Sequence, residues 1–268
     1  MLTENQVLQI DNLIRETGKY IQSQAERVSE KDVHSKDLNS FVSYVDQEAE
    51  KKLVQGLEEI HSGFAFLTEE NTVLQTDGPA RWIIDPLDGT TNFLHGLPAY
   101  AVSVALELGS VISYGWVYHI SADNLYFAKK NHGAYINGSQ IKVSASSRLA
   151  DGLIATGFPY TDFTHQDAYM KLLAHLMTRC RGLRRWGSAA IDLAFTAAGK
   201  FQGFYEVGLS PWDVAAGALL VQEAGGHVTD FSGEADFMAR QQILATPPNT
   251  HEEMLQQIQT FFPSRNNR

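Results

Sequence analysis

Asp85-Pro-Leu-Asp-Gly-Thr-Thr91 follows the apolar run Trp82-Ile83-Ile84 and leads into Asn92-Phe93. Pro86 biases Asp85 to an extended backbone, as at the end of a strand. The chain then turns, which lets Asp88 return to the side of Asp85. Two carboxylates so close repel strongly unless cations stand between them. Hard oxygen ligands with no Cys or His nearby favour Mg²⁺, with Mn²⁺ as the alternative, and the Leu87 carbonyl is a further candidate oxygen. Gly89-Thr90-Thr91 reads as the start of a helix, where free N–H groups can donate to a phosphate oxygen and Gly89 lets the backbone approach closely. An isolated Asp-Gly-Thr would be an Asx turn capping a helix. The whole run, placed behind an apolar strand, points instead to divalent cations beside a phosphate, and so to metal-dependent phosphate ester hydrolysis.

Upstream of this stretch, residues 5–28 predict an amphipathic helix, with Val7, Ile10, Ile14, Ile21, Ala25 and Val28 on one stripe. A polar segment holds Lys36. A second helix is expected over 45–60, then a short strand at Phe64-Ala-Phe-Leu67 that delivers Thr68-Glu69-Glu70. Residues 81–84 form the strand that delivers Asp85. Downstream, residues 100–108, 111–118 and 124–129 alternate as strands, and Asn137-Gly138 marks a hairpin before Ile141-Lys-Val143. This meander predicts a largely antiparallel sheet. Beyond about residue 145 strands and helices alternate: strands at 153–156, 201–206 and 242–246, helices at 166–178, 188–199, 212–224 and 250–261. Gly225-Gly226 stops the third of these helices. An α+β first half (1–144, with the antiparallel sheet and the metal-site loops) and an α/β second half (145–268, completing the site) predict two layered subdomains around a cleft.

The chain has 268 residues, of which 44% are hydrophobic and 19% charged, enough to bury a sizeable core. With 21 Lys and Arg against 31 Asp and Glu the formal charge is −10, which argues against nonspecific nucleic-acid binding and anionic membranes. Bound cations reconcile that acidity with an anionic substrate. Cys180 is the single cysteine, so neither an intramolecular disulfide nor a multi-cysteine zinc site can form. A cysteine-nucleophile phosphatase wants an arginine six positions on, where this chain has Trp186. No basic and apolar leader opens the sequence and no run reaches about 18 apolar residues, so a soluble cytoplasmic protein is expected.

Taken singly, Glu69-Glu70 would be solvated surface and Asp213, behind Trp212, a helix cap. Four blocks raise their weight: Asn39-Ser-Phe-Val-Ser-Tyr-Val-Asp46; Glu69-Glu70; Trp82 through Phe93; and Arg185-Trp-Gly-Ser-Ala-Ala-Ile-Asp192 continuing to Phe204-Tyr-Glu206 and Pro211-Trp-Asp-Val-Ala-Ala-Gly217. In order and spacing, over nearly the whole chain, they resemble the inositol monophosphatases of the magnesium-dependent, lithium-sensitive phosphatase superfamily. The resemblance implies an αβαβα layered sandwich of the sugar-phosphatase type. It implies that Glu69, Asp85 and the Leu87 carbonyl hold one Mg²⁺, that Asp85, Asp88 and Asp213 hold a second, and that a third, weaker ion sits near Glu69. It further implies that the Gly89 and Thr90 amides bind phosphate and that Asp46 and Thr90, with Glu69, orient and deprotonate the attacking water. Asp88, Gly187, Ser188, Ala189 and Glu206 would face the substrate, with Glu70 and Lys36 in support. A homodimer and lithium inhibition follow from the same resemblance. The chain departs from the family in having Thr68 rather than Gly before the acidic pair, and Ser40-Phe-Val-Ser43 where many members have Asp-x-Val-Thr.

The resemblance favours myo-inositol monophosphate as substrate. Histidinol phosphate, fructose bisphosphate and 3′-phosphoadenosine nucleotides stay open, because a fold does not set the substrate. An aspartyl-phosphate route through Asp85 is a second mechanism, although such enzymes want one residue between their aspartates and here there are two. A non-catalytic regulatory protein on the same scaffold is the third alternative. Arg179, Arg181, Arg184 and Arg185 form a basic cluster; Arg184 or Arg185 is expected to reach a neighbouring subunit's site. His95 is expected to shape its loop.

Overall fold

The computed structural model describes residues 1–25, 27–28, 33–37, 40–158 and 162–262; side chains are described for these except at 33–37 and 40–42. The chain begins with α1 (Glu4–Gln24), whose N-terminus is closed by a reciprocal box between Thr3 and Gln6 and whose inward face is Ile10, Ile14, Thr17, Gly18 and Ile21. A hairpin of β1 (Val33–Asp37) and β2 (Ser40–Ser43) leads into α2 (Tyr44–Ile60). There follow β3 (Ala65–Thr68), β4 (Ala80–Asp88), the short α3 (Thr90–Leu94), β5 (Ala101–Leu108), β6 (Val111–His119), β7 (Asn124–Lys129), β8 (Ala134–Ile136) and β9 (Ser139–Ile141). The second half runs β10 (Leu153–Thr156), α4 (Gln166–Leu176), β11 (Gly182–Arg184), α5 (Ala189–Ala197), β12 (Gly203–Val207), α6 (Pro211–Glu223), β13 (His227–Thr229), α7 (Phe237–Arg240), β14 (Gln242–Thr246) and α8 (Pro248–Phe261).

Strands β3 to β9 form a seven-stranded sheet in sequence order, antiparallel except for the parallel β3–β4 pair. The five-stranded second sheet has the order β11-β10-β12-β14-β13, with β10 parallel to both neighbours and β14 antiparallel to both of its own. Helices α1 and α2 cover the outer face of the large sheet, where Trp82, Trp116, Tyr114 and Leu53 are fully buried. Helices α5 and α6 lie between the sheets, α6 touching β4 to β8 on one side and β13 and β14 on the other. Their residues are nearly all small or apolar, as a layer buried on both faces requires. Helices α4 and α8 close the far side over Ile154, Tyr205 and Leu244. The layers therefore run α, β, α, β, α, the expected sandwich. Among the described residues no helix is long and apolar enough to cross a membrane.

The middle layer sits close to the sheet. A Cβ added at Gly115 of β6 would stand 2.9 Å from the Ala216 carbonyl oxygen of α6. Gly115→Ala is therefore expected to push α6 outward at a cost of about 1–3 kcal/mol, read as a lower midpoint in denaturant unfolding with an unchanged slope.

Most predicted elements stand within a few residues of their expected limits. Strand β4 differs: it does not stop at Ile84 but pairs with β5 through Asp85–Ser103 and again at Asp88–Ala101, with an irregularity between. Pro86 has no N–H to give the ladder, which accounts for the gap. The Asn137-Gly138 hairpin is present, both residues at positive φ (45° and 80°), as a type I′ turn needs. The expected strand at 141–143 sits earlier, at Ser139–Ile141. Strands β1, β2, β11 and β13 went unpredicted, being short or polar and lacking alternation.

Candidate active site

Four loops meet at one end of the sandwich. Glu69 follows β3, its N–H donating to the Ile84 carbonyl of β4 at 3.2 Å, which fixes the acidic pair beside Asp85. Asp85 is buried, and its Oδ1 accepts the Leu87 N–H at 2.9 Å, the Asx-type turn that brings Asp88 round. Asp88 is gripped from the second half of the chain: its Oδ2 accepts the Ser188 hydroxyl at 2.6 Å and the Ala190 N–H at 2.7 Å. Those donors belong to the N-terminus of α5, which favours a negative group. Asp213 occupies the first turn of α6, where its Oδ2 accepts the Ser210 N–H at 2.7 Å in a capping box.

Burial and mutual repulsion govern the charges. The Asp85 carboxyl is pushed well above the ordinary range first by loss of hydration, then by Glu69, Asp88 and Asp213, and a hydrogen bond shared with Glu69 adds to it. Asp213 is raised by burial and then by Glu69 and Asp88. Asp88 rises to about 6 through burial, held from going higher by Ser188 and Ala190. Asp88 and Asp213 keep some exposure, yet protein surrounds them closely enough for desolvation to dominate. The four acids thus share one electrostatic neighbourhood. Among the described residues no three His, Cys, Asp or Glu side chains form a ready ion-binding group; the carboxylates are turned onto protein donors and onto each other. Crowded carboxylate oxygens without Cys or His are nonetheless the donor set of a hard divalent cation, and a cation would relieve the repulsion.

Asp46 is buried at the first turn of α2, in a capping box with Ser43, and its other oxygen accepts the Thr90 hydroxyl at 2.9 Å. That hydroxyl also lies 3.0 Å from the Leu87 carbonyl. Burial raises the Asp46 carboxyl, with its hydrogen bonds opposing and Glu69 adding to the rise. Gly89 caps α3 at φ +91°, beside the Ala99 and Gly187 carbonyls.

Glu206, on β12, is buried over Gly157, where a side chain would collide with its carboxylate. Its carboxyl is pushed up to about 8 by burial, against the pull of Arg185 and with the push of Asp88. Asp192 of α5 is also buried and raised, chiefly by desolvation and by Glu206, and its Oδ1 has no hydrogen-bond partner among the described residues. The arginine cluster divides: Arg185 faces these acids and lies 5.8 Å over the Phe158 ring, whereas Arg179, Arg181 and Arg184 are exposed. His95 is exposed at the end of α3.

Of the sequence candidates, Glu69, Asp85, Leu87, Asp88, Gly89, Thr90 and Asp213 come together, with Asp46 against Thr90 and Gly187 against Gly89. Ser188 and Ala189 are buried; the Ser188 hydroxyl is engaged by Asp88 and accepts the Ile191 N–H as the α5 cap. The side chain of Lys36 and all of Asn39 lie outside the described residues. Sequence reasoning overlooked Glu50, and it quoted Asn92 and Asp192 within its motif blocks without giving them a role. Glu50 and Asp192 are acidic residues on the apolar faces of helices, a signal that could have found them. Asn92 donates through Nδ2 to the Ala99 and Trp186 carbonyls, each at 2.7 Å, joining α3 to the 186–187 turn.

The sequence profile of the inositol monophosphatase family matches residues 4–261. The chain belongs to that family. Among curated relatives of this phosphomonoesterase family, it is 39% identical to an inositol-1-monophosphatase of Rhizobium meliloti (strain 1021), covering 92% of this chain and 94% of that one. It is 37% identical to the Nus factor SuhB of Vibrio cholerae serotype O1, over 91% and 92%. The crystal structure of the extragenic suppressor protein suhB from Bartonella henselae superposes with a TM-score of 0.90 at 38% identity, over 94% of this chain and 97% of that one.

Proposed function

We propose that this inositol monophosphatase family member hydrolyses a phosphate monoester, myo-inositol monophosphate first among candidates, by direct attack of water. The observation that carries this reading is the group of Glu69, Asp85, Asp88 and Asp213, drawn from three separate stretches of chain and repelling one another beside the Gly89–Thr90 turn. In it Glu69, Asp85, Asp88, Asp213 and the Leu87 carbonyl would hold two Mg²⁺ ions, with a third, weaker ion near Glu69, Glu70 in support, and Mn²⁺ as a substitute. When bound, such ions neutralise phosphate oxygens, acidify water and stabilise the leaving alkoxide.

The chain's own residues do the rest. The Gly89 and Thr90 amides receive the phosphate. The Thr90 hydroxyl, with its proton directed to Asp46 Oδ1, presents a lone pair to the attacking water, and Asp46 takes up the proton that passes along this bond. Gly187, Ala189 and Glu206 face the alcohol, while Ser188 acts through Asp88. A groove of about 160 Å³ beside Glu206, lined by Phe158, His165, Leu209 and Arg240 among others, gives the remote end of the alcohol room. The same reading takes residues 1–144 and 145–268 as two subdomains and the working unit as a homodimer inhibited by lithium.

A phosphate-release screen over inositol, sugar, amino-alcohol and nucleotide monophosphates tests it. Inositol monophosphates are expected to give the highest kcat/KM, with turnover abolished by a chelator and restored by Mg²⁺. No release from any ester would sink the reading. A regulatory role is the second reading, because the Vibrio cholerae relative is a Nus factor; it predicts that a catalytically dead variant still rescues a strain lacking the gene.

A further inference from the structure

Glu50 is fully buried on α2, one helical turn after Asp46. Buried carboxylates are rare unless every lone pair has a task. This one takes three donors from the loop after β3: its Oε2 accepts the Glu70 N–H at 2.7 Å, and its Oε1 accepts the Thr72 N–H and the Thr72 hydroxyl, each at 2.7 Å. Such short, charge-assisted bonds to backbone fix a loop more firmly than neutral ones. The loop they fix carries Glu69, whose N–H donates at 3.2 Å to the Ile84 carbonyl, next to Asp85 on the neighbouring strand. Four residues earlier on the same helix, Asp46 holds Thr90, the residue that follows the Asp85–Gly89 turn. One rigid helix therefore grips both acidic loops, the first through Glu50 and the second through Asp46.

We infer that Glu50 is a positioning residue which, through the Glu70 and Thr72 amides, sets Glu69 at the distance from Asp85 that divalent cation binding requires. The inference rests on the proposed function and adds to it a residue that touches neither phosphate nor ion. The acceptor geometry explains why the residue is Glu. Gln offers a single carbonyl oxygen; with that oxygen toward Thr72, its NH₂ would meet the Glu70 N–H donor to donor.

The test uses the full chain and two readouts. Hydrogen exchange followed by mass spectrometry or NMR is expected to show faster exchange at the Glu70 and Thr72 amides in Glu50→Gln, with the core of the large sheet unchanged. Calorimetric titration with Mg²⁺ is expected to show affinity lowered about 10–100-fold, while KM for the ester at saturating Mg²⁺ moves much less. Thr72→Val removes one of the three donors without touching helix α2. It serves if Glu50→Gln fails to fold, and should shift both readouts in the same direction; Thr72→Ser should restore them. Unchanged exchange in folded Glu50→Gln, or faster exchange with unchanged Mg²⁺ affinity, overturns the inference. A wild type that binds no Mg²⁺ and hydrolyses no ester overturns the reading of the site, a result distinct from a wild type that binds the ion and a Glu50 variant that binds it equally well.

Discussion

Asp85→Asn is expected to lower kcat/KM on phosphate monoesters by on the order of 10³-fold while raising the melting temperature of the metal-free protein. The two effects have one origin. Asp85 is buried, and its charge is opposed by desolvation and by Glu69, Asp88 and Asp213. Without ions the folded state carries that repulsion, and an amide of the same shape removes it, whereas the proposed ion-loaded site would need the charge. The direction with pH follows. Asp88 and Glu206, raised to about 6 and about 8, have folded values above their unfolded ones. Their contribution to stability is complete in acid, below the ordinary carboxylate range, and is lost as pH rises through about 6 and then about 8. Metal-free wild-type protein should therefore lose about a few kcal/mol of stability in all from pH 5 to pH 9, read as a progressively lower melting temperature, and Mg²⁺ should restore the share that comes from the proposed ligand Asp88. Asp85→Asn should remove only the share that Asp85 itself adds, leaving those of Asp88 and Glu206. Calorimetry in chelator and in Mg²⁺, beside initial rates, checks each part. A variant that keeps activity within tenfold of wild type removes Asp85 from the proposed metal site.

Gly89→Ala is expected to be the second severe change. Gly89 has φ +91°, and an added Cβ would stand 2.7 Å from the Ala99 carbonyl oxygen and 3.2 Å from that of Gly187. The left-handed backbone costs an alanine about 1–3 kcal/mol, and the collision with main chain on two sides adds a similar amount. A loss of about 3 kcal/mol or more should appear in denaturant unfolding. Gly89→Asn separates the causes: Asn tolerates positive φ but still carries the Cβ, so it should remain nearly as unstable if the collision dominates. Because the Gly89 amide is proposed to bind phosphate, the folded remainder should show a raised KM together with a depressed kcat. A Gly89→Ala protein as stable and active as wild type would mean that the turn is freer than its contacts indicate.

What could be read from the sequence follows from how local each signal is. Asp85 and Asp88 were legible because Pro86 and Gly89 punctuate the chain around them, and the long helices because their apolar stripes repeat. The link from Asp85 to Glu69 and Asp213 came from resemblance, since no local pattern tells which distant loops meet. Glu50 escaped notice, and Asn92 and Asp192 went without a role, for a related reason. Their types are ordinary and their partners are far off in sequence: Glu50 holds backbone 20 and 22 residues away, and Asn92 reaches carbonyls 94 and 95 residues away. Three-residue strands such as β11 and β13 are defined by their neighbours rather than by alternation, so no window of sequence reports them.

The helices between the two sheets have a consequence for how the protein comes into being and how it fails. A fragment ending at residue 144 would possess Glu69, Asp85 and Asp88, yet the face of its sheet that α5 and α6 cover would lie open to water, and Asp88 would lose the hydroxyl and amide that orient it. Catalytic competence is thus expected to emerge only when translation has passed α6. Under denaturant, activity should be lost no later than the step that exposes this buried layer.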